Sequence, residues 1–255
     1  MIISLINLQY KGDYMNKERE KKILEEILKT KKVTVNELAK KLYISEPSIR
    51  RDLVSLEKQN LIKRIHGGAV IEENGISATK IPFVIRELEQ SDAKIIMAQK
   101  AANLVKDGDV IFLDASSSAY NIIPHLALKN NITVITCGIK ALAKLGEYNI
   151  KAICTGGMLI PSCQTLVGDD AYNIIEQNNA DIFFFSCRGL SSEGMLTDIS
   201  EQENYVRRKM MKNSKKSYLL CASEKFDKKY FHNLCSVKDI TGIISEKELP
   251  DSFKK

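Results

Sequence analysis

Short polar tracts follow four apolar runs in the second half of this sequence, and their residue types suit the binding of an anion. The tracts are residues 114–118 (DASSS), 136–138 (TCG), 155–157 (TGG) and 187–189 (CRG). Turns rich in serine and glycine leave backbone N–H groups free for an anion, although these residues are also ordinary turn formers. Hydroxyls, a carboxylate and a cation brought together would suit a phosphorylated sugar.

Each residue type has its own part in this predicted site. Hydroxyl and backbone N–H donors would contact the phosphate, Asp114 would accept hydrogen bonds from sugar hydroxyls, and Arg188 or Lys225 would balance the charge. The candidate ligand-binding residues are Asp114, Ser116, Ser117, Ser118, Thr136, Gly156, Gly157, Arg188 and Lys225.

An alternation of helices and strands from residue 92 onward would position these tracts. Strands that are apolar throughout and alternate with helices indicate a parallel sheet covered on both faces. Ligands of such sheets bind beyond the carboxyl ends of the strands, where all four tracts lie. The predicted strands are residues 110–114, 132–136, 150–155, 181–186, 217–222 and 239–245, and the predicted helices are 92–105, 118–128, 139–146, 167–178 and 200–214.

Residues 34–71 carry a different pattern, in which two amphipathic helices precede a short hairpin. Ser45 suits an N-cap and Pro47 a first helical turn, so the second helix is predicted to begin near Glu46. The apolar face of the first helix has helical spacing and consists of Val35, Leu38, Ala39 and Leu42.

The second of these helices has two faces of opposite character. Apolar residues recur at i, i+4 and i+7 from Ile49, and cationic or hydroxyl residues such as Arg51 lie opposite. Such a helix can enter a DNA major groove, where arginine bonds guanine or phosphate and serine serves either. Residues 61–65, 66–68 and 69–71 read as strand, tight turn and return strand of a basic wing. The candidate DNA-binding residues are Ser45, Ser48, Arg50, Arg51, Ser55, Lys63, Arg64 and His66.

The net charge of the chain is concentrated in this segment. Residues 15–70 hold 14 Lys and Arg against 8 Asp and Glu, whereas residues 71–255 hold 23 of each. This asymmetry is expected of a nucleic-acid-binding module joined to a neutral one. A solvated helical bundle with ordinary surface cations is the alternative reading of residues 15–70, but it leaves the order of turn, second helix and basic wing unexplained.

Length and composition give further expectations. The 255 residues suffice for two domains, predicted as a DNA-binding domain at 15–71, a linker at 72–91 and a ligand-sensing and oligomerisation domain at 92–250. Residues 16–30 read as a first helix, with Met15 as the true start or residues 1–14 as a loosely ordered extension.

Other classes of protein are disfavoured by the same composition. No apolar run approaches the ~20 residues of a transmembrane helix, and the apolar N-terminus lacks the leading charges of a signal peptide. We therefore expect a cytoplasmic protein with no membrane partner. Six cysteines without a CxxC pair and three scattered histidines predict reduced thiols, no metal site and no cofactor.

The run SEPSIRRDLVSLEKQNLIKRIHGGA (residues 45–69) resembles the signature of DeoR-family bacterial transcriptional regulators. The similarity continues through DGDVIFLDASSS, ITVIT, TGGML and the DISEQE tract with RRKM behind it, over about residues 15–250. It implies a winged helix–turn–helix plus a sensor domain similar in fold to ribose-5-phosphate isomerase and glucosamine-6-phosphate deaminase. It also implies a dimeric or tetrameric repressor of a sugar-use operon, with operator DNA and a phosphorylated sugar or sugar alcohol as its partners. The DISEQE tract adds Asp198 and Glu201 to the candidate ligand residues.

Two positions depart from the family pattern. Where the family often has an arginine after the double glycine, this chain has Ile160. Where the family often has Asp-Ser-Ser-Lys-Phe, this chain has residues 222–226 (ASEKF). The changes remove one positive and one acidic group from the predicted ligand site.

Two other functions stay open on the residues alone. One is a constitutive DNA-binding protein whose C-terminal domain only oligomerises. The other is a sugar-phosphate isomerase or deaminase carrying a DNA-binding head, which would need a positioned acid and base. The acidic residues available for that role are Asp114, Asp198, Glu201 and Glu203. Acidic side chains at helix N-termini also serve as simple caps, so we expect a regulator and no enzyme.

Overall fold

The computed structural model describes residues 2–71, 81–250 and 253, and of residues 2–15 only their place in a helix. The chain divides into two compact units, Met1–Ser77 and Ala78–Lys255. None of the helices described is long and apolar enough to cross a membrane.

The first unit is a winged helix–turn–helix, as predicted. Strand β3 lies between β1 and β2 and pairs antiparallel with both. The sequence did not indicate β1, because three residues are too short a run to show alternation. The elements of this unit are α1 (Ile2–Thr30), β1 (Lys32–Thr34), α2 (Val35–Leu42), α3 (Glu46–Lys58), β2 (Lys63–Ile65) and β3 (Gly68–Val70).

Two boundaries in this unit differ from the prediction. Helix α1 begins at Ile2, so it extends beyond the predicted residues 16–30 toward the N-terminus. Strand β2 begins at Lys63, because Leu61 and Ile62 are buried in the core and lie outside the hairpin. The core of the unit is formed by Ile23, Leu24, Ile27, Val35, Leu38, Ile49, Leu53 and Leu56.

Caps and one ion pair fix the helices of the first unit. Thr34 and Glu37 form a reciprocal capping box that begins α2, satisfying two backbone donors that the helix itself leaves unpaired. The Arg19 Nη2 donates to Asp52 Oδ1 at 2.7 Å, which ties α1 to α3. Since Asp52 is only 4% exposed, this pair holds the second helix of the motif in place.

The second unit is built on a six-stranded sheet in which every neighbouring pair is parallel, as predicted. Its elements are α4 (Phe83–Leu88), α5 (Ser91–Ala102), β4 (Val110–Leu113), α6 (Ser117–Tyr120), α7 (Ile123–Leu126), β5 (Thr133–Thr136), α8 (Ile139–Glu147), β6 (Ala152–Cys154), β7 (Met158–Ile160), β8 (Thr165–Val167), α9 (Asp169–Glu176), β9 (Ala180–Phe185), β10 (Gly189–Leu190), β11 (Met195–Asp198), α10 (Glu201–Lys212), β12 (Ser214–Leu220), β13 (His232–Ser236) and β14 (Gly242–Ile244).

The strand order is β14-β12-β9-β4-β5-β6. The chain runs outward from β4 to β6 and then returns to the other side of β4 with β9. The point where the order reverses therefore lies between β4 and β9. Crevices at such a point, outside the carboxyl ends of the strands, are where open α/β sheets bind ligands.

Both faces of the sheet are covered, because successive strand residues point to opposite sides. Leu113 and Phe184 pack in one core cluster with α5 to α8. Phe112, Phe183 and Phe185 pack in the other, beneath α9 and α10. These fully buried positions explain why the strands read as continuous apolar runs.

Three features of this unit differ from the prediction or add to it. The predicted helix at 118–128 is divided into α6 and α7, because Pro124 has no N–H to continue the first helix. Two antiparallel pieces, β7–β8 and β10–β11–β13, were not predicted. Helix α4 lies inside the segment predicted as a linker, and its Phe83 packs edge-to-face on Tyr120 with ring centroids 5.3 Å apart.

Candidate nucleic-acid interface and ligand cavity

Helix α3 separates its apolar and polar side chains by face. Ile49 and the two leucines that follow it at helical spacing are buried. Arg50 and Arg51 are exposed, while Ser48 and Ser55 are half-buried. The helix therefore offers cations and hydroxyls on the face that does not pack against α1 and α2.

The turn before α3 brings two further polar groups to the surface. Tyr43 ends α2 in the left-handed conformation (φ +56°) and is 95% exposed. Ser45 stands at the N-cap of α3 but makes no hydrogen bond to the helix backbone. Its Oγ lies 3.0 Å from the Oγ of Ser48 instead, so both hydroxyls remain at the start of the helix.

Two of the predicted DNA-contacting arginines have carboxylate neighbours. The Arg50 Nη2 lies 2.6 Å from Glu46 Oε2, and the Arg64 Nε lies 2.9 Å from Glu57 Oε2. Exposed pairs of this kind are worth little, so a phosphate can replace the carboxylate. Arg51 has no ion-pair partner among the residues that the structure describes.

The wing presents the remaining predicted contacts. Lys63, Arg64 and His66 are all exposed on β2 and at the turn that follows it. Gly68 begins β3 so close to β1 that a Cβ there would lie 2.1 Å from the carbonyl oxygen of Val33. Only glycine fits this approach, which fixes the hairpin against the rest of the unit.

A cavity of about 560 Å³ opens at the carboxyl ends of β4 and β9, at the point where the strand order reverses. The loop after β4, residues 186–188 after β9, and residues 198–203 at the start of α10 form half of its wall. Ile160, at one of the departures from the family pattern, also lines it. Seven predicted ligand residues lie in this wall: Ser116, Ser117, Ser118, Arg188, Asp198, Glu201 and Lys225.

Two lysines give the cavity a cationic side. The Lys225 Nζ donates to Ser186 Oγ and to the Cys187 carbonyl, both at 2.9 Å. Lys94 is only 5% exposed, and its Nζ donates to the backbone carbonyls of Arg86 and Glu89. Burial, together with the positive charge of Lys225, lowers the pKa of Lys94 to about 7.

Arg207 is the centre of a buried ionic cluster beside the cavity. Its Nε donates to Asp114 Oδ2 at 3.0 Å and its Nη1 to Asp198 Oδ2 at 2.8 Å, and Glu203 Oε1 lies 3.7 Å from Nη2. Burial disfavours the charge on the guanidinium, but the three carboxylates outweigh it and raise the pKa of Arg207 well above its usual value. The Arg207 guanidinium therefore keeps its charge although it is buried.

Asp114 lies outside the cavity lining. Its Oδ1 accepts the Ser116 N–H at 3.0 Å, and its Oδ2 accepts the Ser186 N–H at 3.1 Å as well as the bond from Arg207. Both carboxylate oxygens are therefore engaged in joining β4 to β9 and α10. The geometry gives Asp114 a structural part in holding the cavity wall.

Three more predicted ligand residues, Thr136, Gly156 and Gly157, also lie outside the lining. The Thr136 Oγ1 accepts the Gly138 N–H at 3.0 Å, which shapes the turn after β5. Gly157 has a φ of +103°, and a Cβ there would lie 2.4 Å from the Val167 carbonyl oxygen. These residues serve local turns because β5 and β6 lie to one side of the reversal point.

Sequence reasoning missed Arg86, Lys94 and Arg207 as residues of the cavity wall. Arg207 stands in the RRKM tract but was not singled out there. The sequence could have indicated that Lys94 is buried, because this lysine shares a face of α5 with Met97 and Ala98. A lysine on an apolar helix face needs partners to be buried there.

Both units match family models in chain order. Residues 19–74 match the DeoR-like helix-turn-helix domain, and residues 89–247 match the DeoR C terminal sensor domain. Together these ranges cover the helix–turn–helix, the wing and the cavity wall from Glu89 onward.

Curated relatives match along nearly their whole length. An uncharacterized HTH-type transcriptional regulator of Bacillus subtilis (strain 168) is 33% identical over 93% of this chain and 92% of its own. The L-fucose operon activator of Haemophilus influenzae is 33% identical over 93% and 94%. The glycerol-3-phosphate regulon repressor of Escherichia coli (strain K12) is 25% identical over 92% of each chain.

Among solved structures, a ribose 5-phosphate isomerase A from Methanocaldococcus jannaschii is similar over 54% of this chain and 55% of its own, with 19% identity and a TM-score of 0.42. The family assignment does not depend on it. The two family models and relatives aligned over more than nine-tenths of the chain place this protein in the DeoR family of transcriptional regulators.

Proposed function

We propose that this protein is a repressor of a carbohydrate-use operon whose DNA binding is controlled by a phosphorylated sugar. The observation that carries the proposal is the cavity, where cations, hydroxyls and carboxylates meet in the unit that follows a winged helix–turn–helix. A phosphate needs the cations and N–H donors, and a polyol needs the acceptors and hydroxyls. A site with both suits a ligand that carries both.

The proposed DNA contacts come from α3 and the wing. Arg51 is the leading candidate for base reading, because it is exposed on the outer face of α3 and has no ion-pair partner in the described part of the chain. Ser45, Ser48, Arg50 and Ser55 would contact bases or phosphates beside it. Lys63, Arg64 and His66 would contact backbone or minor groove from the wing.

The proposed effector contacts are the predicted residues that line the cavity. Arg188 and Lys225 would bind the phosphate with the serines of the loop after β4, while Asp198 and Glu201 would accept hydrogen bonds from sugar hydroxyls. We further propose that the chain acts in the cytoplasm as a dimer or tetramer, since paired half-sites are usual for this type of DNA reader. Its DNA-binding domain would include residues 15–71, and its sensor domain would include residues 92–250 together with α4, from the segment 72–91.

Catalysis is disfavoured by the state of the acidic residues. A general acid or base must reach substrate with a proton to exchange. Each of the four acidic candidates is instead in an ion pair: Asp114, Asp198 and Glu203 with Arg207, and Glu201 with Arg208. Regulation by ligand binding requires no such proton transfer.

Fluorescence anisotropy with the DNA upstream of this gene tests the proposal. The complex is titrated at fixed salt with glycerol 3-phosphate, ribose 5-phosphate and fructose 1-phosphate, each against its unphosphorylated parent. We expect one phosphorylated compound, and not its parent, to change operator affinity at least tenfold, which requires different affinity for the two states. Lys225→Met should abolish the response, and Lys100→Met, outside the cavity, should keep it. Operator binding that no compound alters would instead favour a constitutive DNA-binding protein.

A further inference from the structure

Lys94 makes contacts in two directions. It lies on α5, lines the cavity, and donates to the carbonyls of Arg86 and Glu89 at the C-terminal end of α4. An ammonium group has three donors, and two of those on Lys94 are engaged by these carbonyls, so a ligand that takes more than one donor competes with α4. The last carbonyls of a helix have no partner within the helix, and a lysine satisfies them well.

Two further hydrogen bonds attach α4 to the wall of the cavity. The Ser117 Oγ donates to the Arg86 carbonyl at 3.0 Å, and the Arg86 Nη2 donates to the Cys163 carbonyl at 3.3 Å. Ser117, Arg86 and Cys163 all line the cavity. Every one of these attachments of α4 is therefore made by a group that a cavity ligand can reach.

The charged groups around Lys94 favour the binding of an anion. Lys94 faces Lys225 and Glu224 from the turn after β12, and Arg86 and Glu89 from α4 and its end. Burial and the two neighbouring cations oppose the charge on Lys94, and the two carboxylates offset this only in part, so its pKa falls to about 7. A dianion placed among Lys94, Lys225 and Arg86 would restore the proton on the amine.

We propose that Lys94 binds the anionic group of the effector and that, in doing so, it gives up its hold on α4. The proposal rests on the proposed function and names the part of the chain through which the signal leaves the cavity. Helix α4 begins at Phe83, just after the segment that leads from the first unit into the second. Ligand binding and docking of α4 compete for the same ammonium and the same serine hydroxyl.

Binding should therefore take up a proton. At pH 8 a phosphate monoester is already a dianion, since its second pKa is about 6, while only about a tenth of Lys94 is charged. Calorimetry in two buffers of different ionisation enthalpy should show uptake of close to one proton per site. The dissociation constant should rise by up to about tenfold per pH unit between pH 7 and 9.

Two variants and one control distinguish ligand binding by Lys94 from a purely structural role of this lysine. Lys94→Arg stays charged at every pH, so it should bind without proton uptake and with a flat pH profile. Lys94→Met should bind at least about tenfold more weakly. Lys100→Met on the same helix removes an exposed lysine that donates to the Ser245 carbonyl at 2.7 Å, and it should behave as the wild type.

Hydrogen exchange of α4 supplies the second readout. Its amides include the Arg86 N–H, bonded to the Pro82 carbonyl at 3.1 Å, and the Glu89 N–H, bonded to the Ile85 carbonyl at 2.9 Å. A bound ligand should speed their exchange in the wild type and in Lys100→Met. In Lys94→Met these amides should exchange fast with or without ligand.

The probes are inorganic phosphate, glycerol 3-phosphate, ribose 5-phosphate and fructose 1-phosphate. If none binds, the proposed effector class fails together with this inference. If one binds and alters operator affinity without proton uptake, or without faster exchange in α4, the proposed function stands and the role of Lys94 is overturned. Proton uptake together with faster exchange, both lost in Lys94→Met, supports it.

Discussion

Asp114 and Arg207 form an ion pair across the inner wall of the cavity, with the Arg207 Nε 3.0 Å from the Asp114 Oδ2. The two side chains are 2% and 5% exposed. The pair joins the carboxyl end of β4 to α10, which carries Glu201 and Glu203 on its first turn. The position of the acidic side of the cavity therefore depends on a contact between residues far apart in the chain.

Removing this contact should destabilise the second unit strongly. Asp114→Ala leaves a buried guanidinium with one fewer carboxylate, and breaking a buried pair in this way costs about 3–5 kcal/mol. Urea denaturation followed by circular dichroism measures the free energy of unfolding. Glu201→Ala is the matched control, because its pair with Arg208 is exposed and should be worth less than about 1 kcal/mol. Equal losses in the two variants would contradict a structural role for Asp114.

Arg51→Ala should weaken operator binding by about 1–3 kcal/mol and relax specificity at one base pair. The reason is its exposed position on the outer face of α3, where none of the described residues forms an ion pair with it. Anisotropy at one salt concentration, on operator and on unrelated duplex, separates base reading from phosphate contact. Lys17→Ala, an exposed cation on α1, is the control. Unchanged operator affinity in Arg51→Ala would remove α3 as the recognition helix.

Gly157→Ala should destabilise the protein more than Gly156→Ala. Both glycines have positive φ, but a Cβ at 157 would lie 2.4 Å from the Val167 carbonyl oxygen, whereas nothing lies within 4 Å at 156. We expect a loss of about 1–2 kcal/mol at 156 from backbone strain alone, and about 1–3 kcal/mol more at 157 from overpacking. Thermal unfolding measures the difference, and ligand affinity of the folded variants should not change. A loss of ligand affinity in Gly156→Ala would show that the double glycine does take part in ligand binding.

The stability of the wild type relative to Lys94→Met should rise with pH. The pKa of Lys94 is about 7 in the folded protein and 10.5 in its ordinary state, so between these values the unfolded chain binds more protons. Stability then increases from about pH 7 toward pH 10, because over this range the folded lysine is neutral while the unfolded one still holds its proton. Unfolding free energies of the two proteins at pH 6.5, 8 and 9 measure this. A constant difference would show that burial does not disfavour the charge on Lys94.

Local patterns in the sequence predicted much of this architecture. The spacing of Ile49, Leu53 and Leu56, with Ser45 and Pro47 before them, predicted a helix that begins near Glu46, where α3 does begin. Continuous apolar runs predicted six parallel strands, because side chains buried on both faces leave no alternation. Such signals depend on neighbours within a few positions, so the sequence carries them directly.

The sequence also determined which residue types stand at the strand ends, and seven of the candidate ligand residues chosen from the strand ends and the family resemblance line the cavity. It did not contain the strand order. Only the tertiary structure placed β9 beside β4 and moved β5 and β6 to one side, which took Thr136, Gly156 and Gly157 away from the cavity. Only the fold brought Arg207 to Asp114, because a pairing between residues so far apart in the chain is set by how helices pack on the sheet. The contact of Lys94 with the end of α4 is closer in sequence, but it depends on how α4 turns back toward α5.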